Sequence, residues 1–142
     1  VSDVTDNLKV IAAYTMAKSE VQKGIDKGNR LQLMPNQQAS LWTDYTWHAG
    51  VLDGFGIGAG VRYTGNTYGD KANTWLGKAD AYTVFDASVH YDLGRLDNSL
   101  KGASLAVNAT NLFDKDYIST CDSFYCYYGD QRSVVASATY KW

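Results

Sequence analysis

Apolar and polar side chains alternate with a period of two along most of this chain, and the alternation recurs in six segments, which predicts an all-β protein of long strands. In the first segment Leu8, Val10, Ala12, Tyr14 and Met16 stand against Asn7, Lys9 and Thr15, with Ile11 and Ala13 as exceptions. In the second, Ala39, Leu41, Tyr45 and Trp47 oppose Ser40, Asp44 and Thr46. The third sets Phe55, Ile57, Ala59, Val61 and Tyr63 against Gly56, Gly58, Gly60 and Arg62. Phe85, Ala87, Val89 and Tyr91 then oppose Asp86, Ser88 and His90, and Leu105, Val107 and Ala109 oppose Ser104, Asn108 and Thr110. The last segment runs through Val134, Ala136, Ala138, Tyr140 and Trp142, with Ser133, Ser137, Thr139 and Lys141 between them.

Two features separate a membrane barrel from a soluble sheet with the same alternation. The strands run to about nine or ten residues, the length of a tilted bilayer crossing and longer than the five or six typical of soluble sheets. Aromatic residues also gather at strand ends, at Tyr14, Trp47, Phe55, Tyr63, Tyr82, Tyr91, Tyr140 and Trp142, where the two membrane interfaces would lie. The polar face, bearing Asp44, Arg62, Asp86, His90 and Lys141, would then line a wet lumen. The connections at residues 17–37, 64–81 and 112–131 are long, whereas those at 48–54 and 92–102 are shorter. Outer-membrane barrels place short turns on the periplasmic side and long loops outside, so the three long loops are expected to be extracellular. The expected fold is a transmembrane antiparallel β-barrel.

Six strands cannot close such a barrel, because single-chain bacterial examples begin at about eight strands and an open edge in lipid leaves backbone groups unsatisfied. The chain also opens on Val1 and shows no signal peptide, so it is expected to be a fragment.

Composition narrows the chemistry. The net charge is -2, from 13 Lys and Arg against 15 Asp and Glu, and there is no basic cluster, which argues against nucleic acid as a ligand. No apolar run is long enough for a transmembrane helix. The two cysteines, Cys121 and Cys126, can close a disulfide in an oxidising compartment or stay reduced elsewhere. Their Cys-x4-Cys spacing is longer than that of a thioredoxin-like site, and no second Cys/His pair completes a zinc tetrahedron. A structural disulfide is the expectation, and no metal site. His48 and His90 lie on different elements without a third partner, so no catalytic triad is indicated and no enzymatic activity is expected. Gly54, Gly56, Gly58 and Gly60 alternate with apolar residues and no helix follows, so they do not form a phosphate loop; they are expected to leave space on the lumen face.

The run NATNLFDKDYISTC at residues 108–121, followed by YYGDQRSVVASATYKW at 127–142, resembles the C-terminal signature of TonB-dependent outer-membrane receptors. In that family an Asn-Leu-Phe-Asp-x-x-Tyr block precedes the last extracellular loop, and a final strand with a Gly-x-x-Arg start ends in an aromatic. LWTDYTW, GAGVRYTGNTYGD and the two-cysteine loop are similar to the ferric-hydroxamate siderophore receptors of the ferrichrome and ferrioxamine type. The resemblance implies a 22-stranded barrel with an internal plug, of which residues 1–142 supply about the last six strands. The plug, beside which Gly54, Gly56, Gly58 and Gly60 would leave space, the earlier strands and the N-terminal motif that engages TonB would lie outside this chain.

Such receptors bind a ferric chelate whose iron is already saturated by the ligand's oxygens, so no protein cofactor is implied and the siderophore is cargo. What the protein must offer is aromatic faces, hydroxyls and amide donors. Tyr127, Phe124, Tyr125 and Tyr128 in the cysteine loop are the candidate ligand contacts, in that order of preference for the first two, and a Cys121–Cys126 clip would limit the disorder lost on binding. Trp142, a terminal aromatic on an alternating strand, resembles the signal read by the barrel-assembly machinery. The expected setting is a Gram-negative outer membrane, with lipid and lipopolysaccharide around the barrel. Receptors for another siderophore or for cobalamin, a passive porin and a soluble β-sandwich lectin are the alternative readings.

Overall fold

Alternating strands joined by turns and loops pair with their neighbours in the chain, and here the long ones lie side by side in one antiparallel meander. The computed structural model describes residues 2–75 and 77–142. Its strands are β1 (Ser2–Asp3), β2 (Leu8–Met16), β3 (Gln37–Thr46), β4 (Phe55–Thr64), β5 (Thr67–Tyr68), β6 (Lys78–Ala79), β7 (Tyr82–Asp92), β8 (Ala103–Thr110), β9 (Ile118–Cys121), β10 (Cys126–Tyr128) and β11 (Ser133–Tyr140). Seven of them form a sheet in the order β1-β2-β3-β4-β7-β8-β11, and β5-β6 and β9-β10 are separate hairpins. The six long strands are those the alternation indicates, at 8 to 11 residues each.

The register fixes the two faces. Asp44 lies opposite Gly58, Gly58 opposite Ser88 and Ser88 opposite Asn108, so these share one face with Arg62, Asp86 and His90. The other face carries Tyr45, Ile57, Val89, Val107 and Ala136 across five successive strands. Tyr14, Met16, Leu41, Ile57, Phe85, Leu105 and Val134 on that face are exposed. A continuous apolar face of this width far exceeds the patches that soluble proteins leave open, and among the described residues no second sheet lies against it. Hydrocarbon is the medium that fits such a face.

Aromatic residues mark its edges. Tyr45, Trp47, Phe55 and Tyr91 form a chain of rings at the short-turn end, with centroids 4.7, 5.7 and 6.3 Å apart in sequence. Tyr82 departs from the expected girdle. It pairs with Thr64 and so falls on the polar face, where its ring lies 4.2 Å from that of Tyr117. The cause is parity, since Tyr82 is in phase with Asp86 and His90 along β7. Two further differences sit at strand ends: Trp47 follows β3 and still donates its backbone N–H to Phe55, and Lys141 and Trp142 extend past β11.

Strands β2, β4 and β8 run towards the long loops and β3, β7 and β11 away from them, so loops 17–36, 65–81 and 111–132 gather at one end. The buried apolar residues Ala79, Val84 and Cys121 all lie there. Among the described residues, the packed apolar interior of this section is therefore at its loop end, in the loops and the start of β7, and not between sheets.

Candidate functional site

The root of the last long loop is tied by the Asn111-Leu112-Phe113-Asp114 block. Asn111 is almost fully buried, and its amide donates to the carbonyls of Lys115 (2.9 Å) and Asp130 (3.0 Å), while its side-chain oxygen accepts the Lys115 N–H at 2.9 Å. Asp114 accepts the backbone N–H of Arg132 at 2.8 Å, closing the loop against the start of β11. Both residues hold left-handed backbone, with φ of 49° and 52°, a conformation that Asn and Asp adopt more readily than other side chains. The block is a knot at the loop base. Gly129 belongs to it as well: its N–H donates to the Tyr117 carbonyl at 2.8 Å, and a side chain there would collide with the Tyr117 ring.

Above the knot, β9 and β10 form a hairpin clipped by the Cys121–Cys126 disulfide, with the two cysteines directly opposite in register. Cys121 is entirely buried. The four-residue turn closes with Asp122, whose carboxylate accepts the N–H groups of Phe124 (2.7 Å) and Tyr125 (2.8 Å). Those donors hold the Asp122 carboxyl below the usual carboxylate range. The clip leaves the rings outside: Phe124, Tyr125, Tyr127 and Tyr128 are all exposed, and of the four only Phe124 and Tyr125 have adjacent rings, 6.5 Å apart. The expected disulfide is present, and the candidate rings are presented on one small hairpin rather than gathered into a closed pocket.

The hairpin is not isolated. The Gly69 carbonyl in the second long loop accepts from Ser123 Oγ at 3.2 Å and from Gln32 Nε2 in the first at 2.7 Å. Gly69 lies so close to the Cys121 and Asp122 carbonyls that a side chain would not fit. Arg30 and Asn73 add reciprocal bonds of 2.6 and 3.0 Å between the first two loops. All three long loops thus meet at Gly69, a junction that composition and alternation do not reveal.

On the polar wall below, Arg62 makes a two-point contact with Asp86, at 2.6 and 3.0 Å, and Asp86 also accepts the Asn111 N–H at 3.0 Å. The ion pair therefore connects the wall to the loop knot. Burial beside Tyr82 raises the Tyr117 phenol above its usual range. Closer to the short turns, His90 Nε2 lies 3.1 Å from Asp44. Trp42, on this face though unassigned by the sequence pattern, explains the glycines. Side chains at Gly58 and Gly60 would overlap its ring, and one at Gly56 would overlap His90, so the vacated space is filled by rings of this sheet and not left for a plug. Gly54 is a turn residue with φ of 85°, closely packed on Arg95.

A concavity of about 400 Å³ runs along the upper wall past Thr15, Gln38, Ser40, Arg62 and Tyr82. A larger one of about 760 Å³ lies at the opposite end, between the turn before β2 and His48, remote from the rings. Among the described residues no group of three or more His, Cys, Asp or Glu side chains is placed to hold a metal ion. The arrangement offers aromatic faces, hydroxyls and backbone donors at a wet mouth, which is chemistry for binding a preformed solute.

Comparison with known proteins agrees with this geometry. The family model described as TonB dependent receptor-like, beta-barrel matches residues 3–112. The ferrichrome outer membrane transporter/phage receptor of Escherichia coli strain K12 is 42% identical over 137 residues, covering 95% of this chain and 18% of that protein. The ferrioxamine receptor of Yersinia enterocolitica is 44% identical over 142 residues, covering 98% of this chain and 19% of its own length. Among solved structures, the siderophore receptor PiuA from Acinetobacter baumannii superposes with a TM-score of 0.82 at 30% identity, over 99% of this chain and 20% of that one. The chain spans about a fifth of the length of the relatives it matches. With its seven-stranded antiparallel sheet, apolar outer face and family match, it belongs to the TonB-dependent receptor-like β-barrel family.

Proposed function

We propose that this chain forms part of an outer-membrane receptor that captures ferric-hydroxamate siderophores and imports them with energy delivered through TonB. The observation that carries the reading is the 42% and 44% identity, over nearly the whole chain, to proteins named for ferrichrome and ferrioxamine. The mouth chemistry supports it: a chelate with saturated iron needs ring faces and hydrogen-bond partners, and the long-loop end supplies both. TonB would act through a part of the receptor outside this chain, and lipid and lipopolysaccharide would cover the apolar face.

The test is uptake of labelled iron by Gram-negative cells that lack their own hydroxamate receptors and express the full-length protein. Ferrichrome or ferrioxamine B uptake that requires TonB is the expected result. Uptake independent of TonB would indicate a porin; iron uptake only from another siderophore, or uptake only of cobalt-labelled cobalamin offered in a parallel assay, would reassign the cargo.

Within that site the exposed rings of Tyr127, Phe124, Tyr125 and Tyr128 act as ligand contacts, with Tyr127 first. Tyr127→Ala should weaken binding by roughly tenfold, the scale of one lost aromatic contact. Unchanged affinity and uptake would remove Tyr127 from the site.

A further inference from the structure

The first long loop reverses the usual placement of polar and apolar side chains. Arg30 turns inward, donating to Asn66 Oδ1 at 3.1 Å and to the Asn66 carbonyl at 2.9 Å, with its guanidinium 5.2 Å from the centre of the Tyr68 ring. Gln32 is spent on the Gly69 carbonyl. The intervening and following apolar residues point the other way, leaving Leu31, Leu33 and Met34 with 45%, 53% and 43% of their surface exposed. Hydrophobic burial alone would turn this segment over.

Leu33 is held in that orientation by left-handed backbone, φ 60°, a conformation rare for a side chain of its bulk. Its N–H donates to the Tyr68 carbonyl at 2.8 Å, so the second loop fixes the conformation. Outliers of this kind persist where the surroundings over-determine them, and they concentrate at functional sites.

The location is informative. Leu33, Met34 and Pro35 enclose a concavity of about 390 Å³ together with Thr15 and Gln38. Thr15 and Gln38 are register partners on the polar wall, and both also line the adjoining concavity that reaches Arg62. An apolar ledge therefore overhangs a polar wall at the mouth. A ferric hydroxamate has matching chemistry: its oxygens converge on iron, which leaves the methylene linkers on its outside, interrupted by amides.

We propose that Leu33 and Met34 form a subsite for the methylene linkers of the ferric hydroxamate, with Thr15 and Gln38 beneath them to meet its amide groups. The subsite rests on the receptor function proposed above and adds a determinant of specificity to it, favouring linear, methylene-rich ligands. Leu33→Asn combined with Met34→Gln separates contact from folding. Asn is at ease at positive φ and close in size to Leu, and Gln matches the length of Met, so the loop keeps its shape and loses its apolar surface.

The measurement is the dissociation constant for ferrioxamine B on the full-length receptor in outer-membrane preparations, with receptor abundance measured alongside. Unchanged abundance and a roughly tenfold weaker affinity in the double variant are expected. Equal affinity in the double variant and the unmodified receptor overturns the subsite alone. Reduced abundance with full affinity in what remains also overturns it, since the ledge would then pack against another part of the receptor. An unmodified receptor that binds neither ferrioxamine B nor ferrichrome overturns the receptor function itself, and the subsite with it.

Discussion

Asn111 shows how much one side chain can do in a loop. It satisfies three backbone groups and tolerates left-handed backbone that most residues resist. Asn111→Ala removes those bonds in a buried setting and adds backbone strain, for a loss of about 3 kcal/mol. Asn111→Gly relieves the backbone and not the bonds, so the melting temperature of the purified receptor should rank native, then Gly, then Ala. Asp122 gives a prediction in pH. Its carboxyl is held low by the N–H groups of Phe124 and Tyr125, so its contribution to the turn is present above the unfolded value of about 4 and is lost as pH falls through the lower folded value. Protection of the Phe124 and Tyr125 amides against exchange, taken relative to the free-peptide rate at each pH, should therefore hold across neutral pH and fall below about pH 4. Asp122→Ala should lack that protection at every pH.

At the scale of the strand, parity decides nearly everything. A one-residue slip would put Arg62 and Asp86 into lipid and Ile57 and Val89 into the lumen, so the alternation fixes the register as well as the faces. The glycines of β4 are set by a neighbour instead. Gly58 and Gly60 lie beneath the Trp42 ring of β3, which the alternation leaves unassigned because Trp42 is an apolar residue on the polar face. Gly60→Ala should cost about 2 kcal/mol by overpacking, and in a Trp42→Ala background it should cost close to nothing. Thermal unfolding of the four members of that cycle checks the coupling; an equal cost in both backgrounds would break the link. Tyr82 follows the same rule, since counting back from Asp86 by twos puts it in the lumen.

At the scale of the whole molecule, the interior of this section is a mesh of three loops, and the sheet is a wall whose two faces meet different solvents. The disulfide hairpin is one corner of that mesh, buried at Cys121 and bonded through Ser123 to Gly69. Trp142 lies at the far end, exposed beyond β11 on the short-turn side. We propose that it is read during assembly, and Trp142→Ala should lower the amount of folded receptor in the membrane while sparing the affinity of what assembles. Heat-modifiable mobility on gels and ligand binding measure the two quantities, and the opposite pattern would count against the role. The sequence alone determined the six strands, their two faces apart from Trp42, and the alternation of short turns and long loops, because each is a local property of period two or of spacing, and it left the cysteine clip as an expectation that the structure met. Only the tertiary structure decided that the Asn111 block is a knot, that glycines make room for Trp42, that Gly69 joins three loops and that Leu33 faces outward. Those depend on contacts between residues tens of positions apart, and no local pattern encodes which side chain will fill the space another leaves.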